Sequence, residues 1–133
     1  MEKRMISSMI VIMMCITSTC LTPLASAKAG KASYYTDYTP SSCYGFENQG
    51  TLIAAANRAL FNNKAACGRR YRVTCTGRTN QGVLQPCRGG SVTVKIVDLC
   101  PGCAADQLDL SKEAFSAIAD PNAGLINIDY VQV

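Results

Sequence analysis

Histidine and tryptophan are both absent from the 133-residue chain. Without histidine there is no Ser-His-Asp or Cys-His nucleophile, no histidine zinc ligand and no imidazole proton shuttle. Any chemistry must run on carboxylates or cysteines, or not run at all. Without tryptophan, the broadest aromatic face for packing against a flat ligand is missing too. Charge is sparse, at 17% of residues with a net +4, which excludes the dense cationic footprint of a nucleic-acid binder. Internal repeats and low-complexity tails are also lacking. Long apolar runs are confined to the beginning.

That beginning reads as a secretory leader. Glu2, Lys3 and Arg4 precede an apolar run from Met5 to Leu24, and Ala25-Ser26-Ala27 is a small-residue cleavage site. A membrane anchor is the competing reading, but Thr17, Ser18, Thr19, Thr22 and Pro23 interrupt the run, so no stable membrane insertion is expected. Cleavage before Lys28 leaves 106 residues, one small secreted domain, with 11 basic against 8 acidic side chains. Cys15 and Cys20 leave with the leader. Cys43, Cys67, Cys75, Cys87, Cys100 and Cys103 remain, and an even count in an oxidising compartment points to three disulfides. Six cysteines permit fifteen connectivities, all open at this point.

The pattern along the mature chain is mostly that of strands. Lys31–Tyr35, Arg70–Gly77, Ser91–Leu99 and Leu125–Val133 are β-prone or alternate polar with apolar residues. Alternation sends Tyr71, Val73 and Cys75 to one face, Arg70 and Arg72 to the other. Val92, Val94 and Ile96 likewise share a face. Leu52–Phe61 is alanine-rich without clear caps and fits helix or irregular chain equally well. Ser111 is placed to cap a short helix over Lys112–Ala119, with Ala114, Phe115 and Ile118 on its buried stripe. Many strands and few short helices indicate a closed barrel or a sandwich.

Two motifs carry candidate chemistry. Cys100-Pro101-Gly102-Cys103 has dithiol redox spacing, but a redox pair is activated at a helix N-terminus and no helical pattern follows for about eight residues. A structural role, as a local bridge or as halves of two longer ones, is favoured; a zinc site would need two further ligands, and neither metal nor cofactor is expected. Glycoside cleavage needs a protonated carboxylic acid and a second, ionised carboxylate. Asp109, between Leu108 and Leu110, is the candidate acid, and Asp98 and Asp37 are possible partners. The plainer reading of Asp98 and Asp109 is that they brace loops. Tyr34, Tyr35, Tyr38 and Tyr44 are candidates for a small aromatic platform. Arg69, Arg70, Arg72 and Arg78 form a basic cluster that suits an acidic surface polymer or a receptor, or else a solvated strand face.

The ordered set ASYY, SSCYG, ALFNNKAACG, YRVTC, SVTVKIVDLC and LDLSKEAFSAIA resembles the first domain of expansins and family-45 endoglucanases across essentially the whole mature chain. ACGRRYRV and VDLCPGC resemble more specifically the plant natriuretic peptide group of endoglucanase-like proteins. The resemblance implies an all-β, six-stranded double-psi barrel with one or two short helices. It also implies disulfides Cys43–Cys67 and Cys75–Cys87, leaving Cys100–Cys103 as a local bridge. Asp109 falls at the endoglucanase acid and Asp98 on the aspartate ending the preceding strand. Gln107-Leu108-Asp109 stands where expansins carry His-Phe-Asp. At the place of the base stands Thr36, with Asp37 one position off and, by strand alternation, on the opposite face. The implied function is therefore non-enzymatic: a secreted, apoplastic monomer signalling in water and solute balance. Its implied partner is a cell-surface receptor, met through Arg69, Arg70, Tyr71 and Arg72 within an active region of about Ala55–Cys87. A wall-modifying or barwin-like domain binding cell-wall polysaccharide is the alternative.

Overall fold

The computed structural model describes residues 26–79 and 82–133, so most of the expected leader lies outside the described residues. Six strands close into one barrel. They are β1 (Lys28–Tyr35), β2 (Ile53–Ala56), β3 (Arg70–Arg78), β4 (Ser91–Leu99), β5 (Gln107–Ser111) and β6 (Ile126–Gln132). Around the barrel they run β1-β5-β2-β4-β3-β6. β1 with β5 and β2 with β4 pair in parallel, and the other neighbours are antiparallel. This is the double-psi arrangement implied by the resemblance, and closure leaves no free sheet edge.

Two of the strands were not evident in the sequence. The alanine-rich Leu52–Phe61 splits into β2 and a one-turn helix, α1 (Arg58–Phe61). The cap that the sequence reading missed is Asn57, whose Oδ1 accepts from the Leu60 amide at 2.9 Å while its Nδ2 donates to the Gln107 carbonyl at 3.0 Å. Alanine favours helix, but β2 is paired on both sides, and that tertiary pairing overrides the local preference. β5 is the other addition. It places Leu108 and Leu110 in the core and runs directly into α2 (Lys112–Ile118), capped by Ser111 as expected. Ser111 Oγ accepts from the Ala114 amide at 3.0 Å.

The barrel is filled by Val73, Val92, Val94, Ile96, Leu108, Leu110, Ile126 and Ile128, and Phe115 of α2 closes it with no solvent exposure. Tyr34 turns inward onto Phe115, ring centroids 5.0 Å apart. Tyr71 turns inward as well, edge-on to Tyr130 at 5.8 Å. A side chain at Gly30 is excluded, because a Cβ there would lie 2.1 Å from the Asp106 carbonyl oxygen. The disulfides are Cys43–Cys67, Cys75–Cys87 and Cys100–Cys103. No helix among the described residues is long and apolar enough to cross a membrane.

Candidate functional site

The barrel register assembles a row of residues on the outer face of four neighbouring strands, in which Ser33, Asp98 and Asp109 are part-exposed and Ala55 is buried. Ala55 of β2 pairs with Asp98 of β4 on one side and Asp109 of β5 on the other, and Asp109 pairs with Ser33 of β1. Asp98 and Asp109 thus stand two strand spacings apart, roughly 10 Å between backbones, with only a methyl group between them. Asp98 reaches this face because of an irregularity. Strict alternation would send it inward with Val94 and Ile96, but the β2–β4 register slips between Ala54 and Ala55, so Val97 is the extra residue and Asp98 turns out while Leu99 packs inward. Such a bulge re-aims a side chain at the cost of one unpaired position.

The two carboxylates have different surroundings. Asp98 Oδ1 accepts from the amides of Ser42 and Leu99, both at 2.9 Å, so it braces the Ser42 loop as the plainer reading held. Asp109 is half-buried. Gln107 Nε2 donates to Ser33 Oγ at 2.8 Å, and Ser33 Oγ donates to Asp109 Oδ1 at 2.8 Å. Loss of hydration pushes the Asp109 carboxyl above its usual range, while the Ser33 bond pulls the other way. The desolvation belongs to the outer face, since the flanking leucines both point into the barrel.

Tyr35 completes the arrangement. It shares the outer face with Ser33, stands edge-on to Tyr38 at 5.3 Å, and its hydroxyl is buried with no hydrogen-bond partner among the described residues. Burial first, then the nearby charges of Asp98 and Asp109, hold that phenol far above its ordinary pKa. A neutral donor without a partner therefore lies close to two carboxylates. Tyr38 is fixed by its own hydroxyl, which donates to Glu113 and accepts from the Lys112 amide. At the other end of the row Lys95 lies 5.2 Å from the Tyr44 ring, and Phe46 on the same loop is 82% exposed.

Asp37, the third candidate carboxylate, lies beyond the end of β1 in an exposed loop, so strand alternation does not determine its direction. Of the four residues expected to meet a receptor, Arg70 and Arg72 are exposed on β3 and Arg69 is partly so, but Tyr71 belongs to the core, on the face opposite the two flanking arginines. The Cys100–Cys103 bridge closes a turn in which the Cys103 amide donates to the Cys100 carbonyl at 3.2 Å, and it leads to β5 rather than to a helix. Sequence reasoning missed Ser33, Ala55 and Gln107. The alternation of Lys31–Tyr35 carried a signal for Ser33, because it places Ser33 and Tyr35 on one face. Among the described residues no group of three or more metal-ligating side chains could hold a metal ion.

Comparison with known proteins agrees with this fold. Residues 53–130 match the double-psi β-barrel family described as lytic transglycolase. An EG45-like domain containing protein of Citrus jambhiri is 58% identical over 110 residues, covering 81% of this chain and 83% of that one. Among solved structures, the expansin of Clavibacter michiganensis superposes with a TM-score of 0.66 at 31% identity, over 81% of this chain and 50% of its own. A mutant of that expansin in complex with cellohexaose superposes with a TM-score of 0.63 at 30% identity, with the same coverage. The chain belongs to the EG45-like domain proteins, relatives of the expansins built on a single double-psi β-barrel.

Proposed function

We propose that the protein is a secreted, non-hydrolytic binder of a β-linked cell-wall polysaccharide, held across the Asp98–Ala55–Asp109–Ser33 row. The observation that carries this reading is the register that sets Asp98 and Asp109 on either side of Ala55, with the unpartnered Tyr35 hydroxyl on the same outer face. On binding, a turn of the Tyr35 ring brings its phenol, closed off from solvent in the free protein, to a sugar hydroxyl that accepts from it and donates to a carboxylate, while Ala55, itself buried, adds no bulk beneath the sugar. The cellohexaose complex of the expansin mutant supports the ligand class. Cleavage is not part of the proposal. The Asp109 carboxyl is pushed toward its protonated form, while Asp98 Oδ1 is spent on bracing the Ser42 loop through two backbone amides and Asp37 is outside the row, which favours binding over turnover in this reading. Titration of the mature protein with cellohexaose, monitored by amide chemical shifts, tests the reading. Shifts at Ser33, Tyr35, Ala55 and Asp109 are expected, and saturating ligand without them overturns it.

A second reading, signalling in water and solute balance through a cell-surface receptor, rests on the basic face of β3. Arg70 and Arg72 project outward with Lys95 beside Arg70 on β4. Among the described residues the one ion pair is Lys28–Asp106 at 3.2 Å, so these arginines are not neutralised by a described carboxylate. Replacing Arg70 and Arg72 with Gln should abolish a cell-swelling response while the melting temperature stays within the small range of surface charges. An unchanged response returns them to a solvated strand face.

A further inference from the structure

A concave site opens where β2 and β4 end. It is a cleft of about 540 Å³ lined by Arg58, Phe61, Asn62, Asn63, Lys64 and Leu99, a size within the range of small-molecule clefts. Phe61 and Leu99 supply an apolar floor. Arg58, Asn62, Asn63 and Lys64 are exposed around it and supply donors, and the two cations pair with no described carboxylate.

The backbone of this rim is unusual. Asn62, Asn63 and Lys64 all have positive φ, at 43°, 53° and 72°. Asparagine visits the left-handed region readily, whereas lysine gains nothing there that glycine would not supply with less strain. Strain of this kind persists where the surroundings over-determine it, typically at binding sites. Here the arch is held by the Ala65 amide on the Asn62 carbonyl at 3.1 Å, the Cys67 amide on the Lys64 carbonyl at 3.1 Å, and the Cys43–Cys67 disulfide. With the arch satisfied by its own backbone, the ammonium of Lys64 is free to meet a ligand.

The cleft also adjoins the polysaccharide row. Leu99 pairs with Ala56, one step beyond the Asp98–Ala55 pair, and Arg58 lies three residues past Ala55. Cleft and row are therefore adjacent in the chain, one residue apart on β4 and joined by the end of β2 and the Asn57 cap.

We propose that this cleft binds the carboxylate of a uronic-acid residue, so that the protein selects β-linked glycans carrying acidic sugars over neutral ones. This rests on the groove reading only for the remainder of the glycan. The carboxylate meets Arg58 and Lys64, the asparagine amides donate to ring hydroxyls, and the sugar's C–H face covers Phe61 and Leu99.

The test is calorimetric titration of the mature protein with a β-linked xylo-oligosaccharide bearing one glucuronic acid, beside the same oligosaccharide without it. The acidic ligand should bind about 10-fold more tightly at low salt, as charge-assisted hydrogen bonds allow, with the advantage shrinking as salt rises. Arg58→Gln and Lys64→Gly should each reduce the preference, and Lys64→Gly should do so without lowering Tm because it relieves the left-handed position. A merely structural lysine would move Tm and leave the preference. Equal affinity for the two ligands, or a preference that survives both substitutions, overturns the proposal. If the neutral ligand does not bind at all but the acidic one still depends on Arg58 and Lys64, the groove reading falls and the uronate site stands.

Discussion

Replacing Tyr35 with Phe should make the protein more stable and a poorer binder. The phenol is buried and finds no partner among the described residues, so the folded chain carries a desolvated donor that is satisfied only by water in the unfolded state. Leaving such a group unpaired costs about 1–3 kcal/mol, and Tyr35→Phe removes the penalty without removing the ring that packs on Tyr38. Taking the low end, about 1 kcal/mol, a domain of this size gains roughly 4–8 °C in Tm. Binding moves the opposite way. A sugar hydroxyl that accepts from the phenol loses that bond, and each ordinary hydrogen bond contributes about 0.5–1.5 kcal/mol, or roughly 2- to 13-fold in affinity. Thermal melts by circular dichroism at neutral pH and titration with cellohexaose read the two effects on the same samples. A Tm that falls in Tyr35→Phe would show that the hydroxyl is already satisfied, and an unchanged affinity would remove Tyr35 from the site. Either result refutes the reasoning from an orphaned donor.

Asp109→Asn keeps an acceptor for Ser33 but removes a charge. A carboxyl whose folded pKa lies above its ordinary 3.8 holds its proton more tightly folded than unfolded, so ionisation at higher pH costs stability. The variant should match the parent below about pH 4 and exceed it at pH 7 by under about 1 kcal/mol, the half-exposed site being screened, as pH-dependent melts will read. Gly30→Ala should destabilise by about 1–3 kcal/mol in denaturant melts, because its Cβ meets the Asp106 carbonyl of a backbone that cannot yield without moving β1. Reduction of the folded chain should add about six hydrogens by intact mass, two for each of three bridges. Losing Cys43–Cys67, with a sequence separation of 24, should cost about 3.5 kcal/mol in denaturant melts of the double Cys→Ala variant.

The parts of the fold that read directly from sequence are those whose alternation matches their burial. β3 and β6 alternate throughout, β4 does so as far as Ile96, and α2 buries the Ala114, Phe115 and Ile118 stripe. β2 did not read so, because all four of its residues are buried and three are alanines, leaving no period to detect. β5 alternates, but its five residues are a short signal between a turn and a helix. In the candidate site, Asp109 read from the sequence as an acid desolvated by its flanking leucines, but both leucines point into the barrel and the loss of hydration comes from the outer face. Asp98 was not accessible as its row neighbour, since a register slip that no local pattern announces turns it outward. Tyr71 shows the reverse case. Alternation already grouped it with Val73, and its place in the core follows from that pattern rather than from the charged residues beside it.

The central claim, binding without cleavage, is tested most directly by incubating purified mature protein with soluble β-glucan while measuring bound ligand and released reducing ends together. Saturable binding with no release above the protein-free blank, at any pH from 4 to 8, is the result the proposal predicts. Sustained release of reducing ends that disappears in Asp109→Asn would contradict it and make Asp109 a general acid.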